Sequence, residues 1–483
     1  MKKFFEKHDL FKLVGICLLV IVALTWFLKQ GDFSSGKFAV DTTLNRIGLF
    51  DVVTYGCTVI DIYFVNIVFV FAVAGFYKFL GSLSAYRELT NRIASSFKGK
   101  EKIFVAISIL IFACLAGLLN EYFVLIALVP FVISILSKLK VDKVTGVAAT
   151  FGGIMIGLLG STYSNVSAVF VNAQVNSGQG LGLAYANELM GTLILFAIAY
   201  ILLTYLTFAR MNSLSKKKDI ALLEDPFATI VEEKASKKKK DSKGVSVLPL
   251  AIILIVLLLN LVLGFISWTA AFNIETFSNM FKTISEATLF GGDIQYVSII
   301  LGSVLRAFGE WDLITFIALM LIAALIIKIV YHVPFDKLLD EFGEGAKKIT
   351  GSIVILIMLY SVLLFSINFM TFTHIVKIIT GAGNNIFTIF TSGLITGVFA
   401  NDFLYAANTL ATFVTGFKDP AVAGLALQAA SGLISFVAPT SIALMFGLSM
   451  LDVKYKDWFK YIWKFALAML VVILIVLAIL VYV

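Results

Sequence analysis

Charged side chains are scarce in this sequence: Lys, Arg, Asp and Glu make up 14% of 483 residues, where an ordinary soluble domain carries about 25%. A water-soluble globule of this length is thereby excluded. Histidine is nearly absent, and His8, His332 and His374 stand alone, which rules out a zinc site of the HExxH type. Cysteine is no more plentiful: Cys17, Cys57 and Cys114 are scattered singly through apolar stretches with no CxxC pair. They read as small core hydrophobes and not as a disulfide framework. Proline occurs six times. "FGGD" at Phe290 to Asp293 has no second motif to pair with, so the chain is not expected to be an enzyme, and no organic cofactor or metal is called for.

What remains is apolar. Hydrophobic residues form 60% of the chain, and the runs Lys12 to Leu28, Val247 to Trp268, Leu313 to Val333 and Phe459 to Val483 each suit the roughly 20 residues that span a 30 Å hydrocarbon core as a helix. A barrel would need alternating strands of about ten residues, which such runs exclude. The fold class is therefore an all-α polytopic membrane protein, with the bilayer as its main surroundings. The first run lacks a small-residue cleavage site and is read as a retained helix. The net charge of +8 reflects lysines clustered between spans. This is a positive-inside signal and not a nucleic-acid surface.

Basic loops orient the chain. Lys2, Lys3 and Lys7, then Arg87 to Lys102, then Lys138 to Lys143, then Arg210 to Lys243 are expected on the cytoplasmic side, together with the N-terminus. The expected location is a plasma membrane of bacterial type. The last of these segments divides the chain into a first transmembrane repeat (1–209), a basic cytoplasmic linker (210–246) and a second repeat (247–483).

The two halves match locally. "GLLNEYFVLIALV" from Gly117 resembles "GVFANDFLYAANTLA" from Gly397, so Asn120 and Glu121 fall opposite Asn401 and Asp402. Farther on, "TGVAATFGGIMIGLLGSTYSN" from Thr145 resembles "AGLALQAASGLISFVAPTSIA" from Ala423, setting Thr162 opposite Thr440. Each half is thus expected to hold a re-entrant hairpin (103–136 and 386–417) and a broken helix (146–176 and 421–449). Each arm of the first hairpin has about 17 residues, or about 25 Å of helix, with Asn120 and Glu121 at its tip. If Val247 to Trp268 exits, Leu313 to Val333 returns and Gly351 to Ile378 exits again, the second hairpin opens on the outside and the repeats are inverted. Phe272 to Thr288 and Gly81 to Ser96 read as amphipathic interfacial segments.

These features supply the candidate site. Intramembrane carboxylates are costly and mark ion or substrate pathways, which points to Glu121 and Asp402, with Asn120, Asn401, Tyr405 and Asn408 beside them. A broken membrane helix leaves backbone groups at depth that need a cavity or a ligand. Ser161, Thr162, Ser164 and Asn165 interrupt the first such helix, and Pro439, Thr440 and Ser441 the second. Substrate contacts are expected from both sets. Cation contacts are expected at Gly160, Thr162, Asn165, Ala438, Pro439 and Thr440, because unwound carbonyls and hydroxyls suit Na⁺. Na⁺ or H⁺ are the candidate coupling ions. Asp61, Asn66 and Asn368 are further polar groups within spans, and Arg306, Glu310 and Asp312 read as a surface ion-pair cluster.

The stretches "AGFYKFLGSLSAYRELTNRIASSFKGKEK", "GLLNEYF" and "GIMIGLLGSTYSN", then "DEFGEGAKKITGSIVI" and "VAPTSIALMFGLSMLDVKYKDWFKYIW", resemble in their order the YfcC-like and C4-dicarboxylate-carrier-like transporters of the ion transporter superfamily. That resemblance implies an elevator-type carrier: a dimerising scaffold, hence a homodimer, and a mobile transport domain. The function expected is secondary active transport of a small amino acid or carboxylate, by symport or exchange. Few intramembrane Lys or Arg favour an amino acid such as arginine in exchange for ornithine. The alternatives are a C4-dicarboxylate or other organic-anion carrier and, in a different class, a channel.

Overall fold

The computed structural model describes residues 9–34, 37–41, 45–161, 186–215, 220–228, 246–287, 299, 306–381, 385–402 and 420–482. Among them, eight helices are long and apolar enough to cross a membrane: Asp9–Phe27, Phe64–Ser82, Glu101–Leu118, Leu189–Leu214, Leu248–Phe265, Leu313–Val330, Phe335–Phe369 and Tyr455–Val481. The protein is a polytopic, nearly all-helical membrane protein. One antiparallel pair of strands, Gly31–Ser34 with Lys37–Val40, adds to the expected all-helical architecture in the connection after the first helix.

The expected first hairpin is present. Helix Glu101–Leu118 rises to Leu119, the chain turns through Asn120 and Glu121, and it returns as a 3₁₀ segment, Tyr122–Ala127, followed by helix Val129–Lys138. Pro130 stands in the first turn of that helix, where its missing N–H costs nothing. Beside it runs the first broken helix: Lys143–Val147, a π-helical turn at Ala148–Gly152, then Gly153–Leu159. Close backbone approach makes this packing possible. A Cβ on Gly157 would lie 2.5 Å from the Ala113 carbonyl oxygen of the hairpin's first arm, so only glycine fits, as at many membrane helix contacts.

The second half repeats the pattern within its described part. Helix Ile386–Phe399 leads to Ala400, Asn401 and Asp402, and helices Pro420–Ser435 and Ile442–Met450 flank a break at Phe436 to Ser441. The rest of the expected second hairpin, 403–417, lies outside the described residues, as does the first broken helix beyond Ser161.

Two expected spans are interrupted. The span carrying Asp61 and Asn66 is divided at Tyr63 into Leu49–Ile62 and Phe64–Ser82. The span expected from Gly351 to Ile378 ends at Phe369. Met370 adopts a left-handed conformation with φ of 39°, and Thr371–Thr380 sets off as a separate helix. Thr373 anchors that helix by donating to the Gly31 carbonyl at 2.6 Å. Neither interruption is marked in the hydropathy of its run, and at both the distant contacts are made by side chains, Tyr63 on Tyr360 and Thr373 on Gly31. The segments read as amphipathic form helices Ser84–Ser96 and Thr276–Ser285, and the latter buries none of its side chains.

The segment 210–246 is not uniform. Residues through Leu214 complete helix Ala186–Leu214, and 220–228 dock as a strap on the helical body. Leu223 N–H donates to the Val141 carbonyl at 2.9 Å, and Ala221 accepts from Lys143 N–H at 3.1 Å. Asp225 accepts from the Ser134 hydroxyl at 2.6 Å, and Lys348 Nζ donates to the Pro226 carbonyl at 2.9 Å. Phe227 is 2% exposed. The strap thus joins the end of the first hairpin to the long helix Phe335–Phe369. Phe227→Ala should destabilise the protein by about 3–5 kcal/mol, read as a lowered midpoint of thermal unfolding in detergent. An unchanged midpoint would mean that the strap does not pack.

Candidate functional site

The tip of the first hairpin, the end of helix Ile386–Phe399 and the described parts of both helix breaks converge on one cavity of roughly 270 Å³. Asn120 and Glu121 line it from the first hairpin, Asn401 and Asp402 from the second, and Ser161 from the first helix break. Glu121 is held by a local bond: its Oε1 accepts from Phe123 N–H at 3.0 Å, capping the 3₁₀ turn that follows. Asn120 N–H donates to the Phe265 carbonyl at 2.9 Å. That bond sets the tip level with the end of the Leu248–Phe265 span. Asn120 and Glu121 also face a second cleft, toward Trp311 and Asp312.

Across the cavity, Asn401 Nδ2 donates to the Ser431 carbonyl at 3.4 Å. The end of the first broken helix is closed from the other half of the chain. Gln428, in helix Pro420–Ser435, donates through Nε2 to the Ser161 carbonyl at 2.9 Å and to that of Leu159 at 3.4 Å. Carbonyls at the end of a helix need such donors inside a membrane. The two helices meet at Gly432, where a Cβ would lie 2.3 Å from Leu159 Cα.

Several lining groups carried no local sequence signal. Tyr63, at the interruption of its span, stacks on Tyr360 with ring centroids 3.7 Å apart and planes 9° from parallel. The Tyr360 hydroxyl accepts from Asn66 Nδ2 at 3.1 Å. Tyr122, Ser431 and Ser435 complete the polar lining together with Gln428. Asn66 is legible in the sequence as a polar group within its span, and the lone amide of Gln428 in an otherwise small and apolar helix is a signal that could have been read there as well. Among the described residues, Asn120 Oδ1 and Ser431 Oγ are buried without a hydrogen-bond partner. Orphaned polar atoms in a cavity are where a ligand or water is accommodated.

Other candidates are placed elsewhere. Gly160 ends helix Gly153–Leu159 and packs against Phe196. Thr440 donates to the Val398 carbonyl at 2.7 Å, Ser441 caps helix Ile442–Met450 through Leu444 N–H at 3.4 Å, and Ala438 accepts from Ser441 N–H at 3.1 Å. Thr440, Ser441, Ala438 and Pro439 therefore shape the second break and do not line the cavity, which their neighbours Ile442 and Ala443 reach. Asp61 and Asn368 are exposed, while Arg306 pairs with Asp312 at 3.1 Å as a surface ion pair. Thr162, Ser164, Asn165, Tyr405 and Asn408 lie outside the described residues.

No lysine or arginine is among the described residues that line the cavity. The neighbouring stretches 162–185 and 403–417 contain none in sequence either. Two carboxylates thus meet amides, hydroxyls and three tyrosines among the described lining residues. Among the described residues, no group of three or more His, Cys, Asp or Glu is placed to hold a metal ion.

The sequence matches the profile of the C4-dicarboxylate anaerobic carrier (DcuC) family over residues 8–482. The chain belongs to that family. It is accordingly a membrane carrier of small molecules. No curated protein matches it. Two solved transporter structures are similar to it at 11% identity. They are the YdaH transporter of Alcanivorax borkumensis, over 98% of either chain with a TM-score of 0.38, and MtrF of Neisseria gonorrhoeae, over 99% of this chain and 95% of that one with a TM-score of 0.37.

The contact at Gly432 yields a paired prediction for the carrier. Gly432→Ala should destabilise it by about 1–3 kcal/mol through overpacking. Gly351→Ala, in a helix interior where a Cβ meets nothing within 4 Å, should stabilise it by up to about 1 kcal/mol. Thermal unfolding of the two variants side by side checks the sign of each.

Proposed function

We propose that this carrier is a secondary active transporter whose substrate is a small amino acid bearing a net positive charge, arginine or ornithine in type, moved by exchange or with a coupling ion. The observation that carries this reading is the electrostatic character of the cavity: Glu121 and Asp402 line it, and no described lining residue is cationic. Two unit charges about 4 Å apart at an effective dielectric of 20 interact by about 4 kcal/mol. A dianion entering beside two ionised carboxylates is opposed several times over. An ammonium or guanidinium group is attracted by the same magnitude, and the substrate carboxylate has the side-chain amide of Asn120 nearby.

A second reading follows from the family itself, a C4-dicarboxylate or other organic-anion carrier. It requires Glu121 and Asp402 to be neutralised by H⁺ or Na⁺ before the anion binds, which would make those ions obligatory partners. In either case we place the carrier in a plasma membrane with its N-terminus in the cytoplasm. It acts as a homodimer that moves its hairpins and broken helices against a fixed scaffold, in the manner of an elevator. Cation contacts from Gly160, Ala438, Pro439 and Thr440, with Thr162 and Asn165, belong to the same proposal. A channel is disfavoured, because the polar breaks are unequal and lie within one polypeptide instead of forming a ring of identical filters.

Counterflow in proteoliposomes separates the readings. Saturable arginine or ornithine counterflow that excess succinate leaves unchanged is the expected result, and Glu121→Gln and Asp402→Asn should each abolish it while the protein stays folded. Saturable succinate or fumarate uptake that the neutral variants retain but with its pH dependence lost would overturn the cationic reading in favour of the second. Uptake linear in substrate would count against any carrier.

A further inference from the structure

A second cavity, of roughly 230 Å³, lies far from the carboxylates in chemistry. It opens between three membrane-crossing helices, Phe64–Ser82, Leu248–Phe265 and Leu313–Val330, the returning arm of the first hairpin and the amphipathic helix Ser84–Ser96. Every lining side chain is aliphatic or aromatic, and the Tyr77 hydroxyl is the single polar side-chain group among them. Phe76 and Met320 are each 2% exposed, and Leu89 and Ile93 of the amphipathic helix are half-buried. Ile255 and Leu258, on its rim, are 56% and 40% exposed. The cleft therefore opens toward bilayer hydrocarbon.

Protein interiors are packed to the density of organic crystals, and an empty groove forfeits the dispersion contacts of its walls. Water does not fill such a groove, because it needs two to four polar partners. From the middle of the Leu248–Phe265 helix to the amphipathic helix, the lining runs through Leu258, Leu254 and Ala251, a distance of about 10 Å at 1.5 Å per residue. That is the proportion of part of a lipid tail. Charge favours a lipid as well: just beyond Ile93 the chain presents Lys98 and Lys100, both exposed, where a phosphate headgroup would sit.

We propose that this cleft is a phospholipid site, in which one acyl chain fills the seam between the first hairpin and helix Leu248–Phe265 and the headgroup faces the basic turn after helix Ser84–Ser96. The site is independent of the transported substrate. Its occupant forms part of the surface against which the first hairpin packs, so the bound chain belongs to the hairpin's mechanical surroundings.

The test is native mass spectrometry of the full chain released from phospholipid vesicles into mild detergent. Wild-type protein should carry a bound phospholipid. Ala251→Trp, which fills the groove, and Leu89→Trp, which narrows it on the amphipathic helix, should each lose that adduct. Leu325→Trp, at a 44% exposed position on another lipid-facing surface, should keep it. Monodisperse elution reports whether each variant folds, and if Ala251→Trp does not, Leu89→Trp decides. Absence of lipid from the wild type, equal adducts in all folded variants, or a protein dimer that the groove-filling variants dissociate would each overturn the proposal, the last by showing a second copy of the chain in the groove.

Discussion

A helix that stops inside a bilayer leaves carbonyl and amide groups with no water to turn to, and the whole centre of this carrier is arranged around supplying them with partners. Helix Gly153–Leu159 ends at Gly160, and Gln428 of the other half donates to the carbonyls of Leu159 and Ser161. At the second break, Trp458 Nε1 donates to the Phe436 carbonyl at 2.8 Å, and the Tyr455 hydroxyl donates to Val437. The second hairpin's first arm is finished in the same way, with Ser366 donating to the Phe399 carbonyl at 2.9 Å and Thr440 to that of Val398. Even the tip of the first hairpin borrows a carbonyl, that of Phe265. Because the Gln428 and Phe265 contacts cross from one half of the chain to the other, the two halves are interlocked where the cavity forms.

That interlocking explains the composition of the cavity. The donors that satisfy backbone at the breaks are neutral ones, the amide of Gln428, the hydroxyls of Ser366, Thr440 and Tyr455 and the indole of Trp458, and the charge in the cavity is left to Glu121 and Asp402. The described lining of the cavity holds two acids and no lysine or arginine, an incompleteness that the proposed cationic substrate or coupling ion would fill. The orphaned Asn120 Oδ1 and Ser431 Oγ describe the same incompleteness in hydrogen-bonding terms.

Much of the architecture was legible beforehand because membrane helices obey local rules. Hydropathy located the helices Asp9–Phe27, Leu248–Phe265 and Leu313–Val330 to within a few residues, and the internal match brought Asn120 and Glu121 into register with Asn401 and Asp402. These four do line one cavity. Thr440 and Ser441 were recognised as marking a helix break, but their hydroxyls serve the backbone of that break and do not face the cavity. Tyr63, Tyr360 and the strap at 220–228 were not legible at all. Tyr63 matters only because the chain turns there and Tyr360 stacks on it, and the strap is a short, largely apolar stretch, "IALLEDPFA", set inside a lysine-rich segment, where it buries Leu223 and Phe227.

The amino-acid sequence by itself determined that the chain lives in a membrane, roughly where its long uninterrupted helices lie, and which rare polar residues sit within apolar surroundings. These are consequences of transfer free energies that each segment carries alone. Only the tertiary structure decided which of those polar residues meet, since Asn66 and Tyr360, or Gln428 and Ser161, are brought together by packing across the chain. It also decided that Thr440 and Ser441 at the second break bond to backbone instead of facing the cavity, whereas Ser161 at the first break lines it. A hydrogen bond depends on direction and on a partner within about 3 Å, and neither is encoded in the composition of the segment that carries the donor.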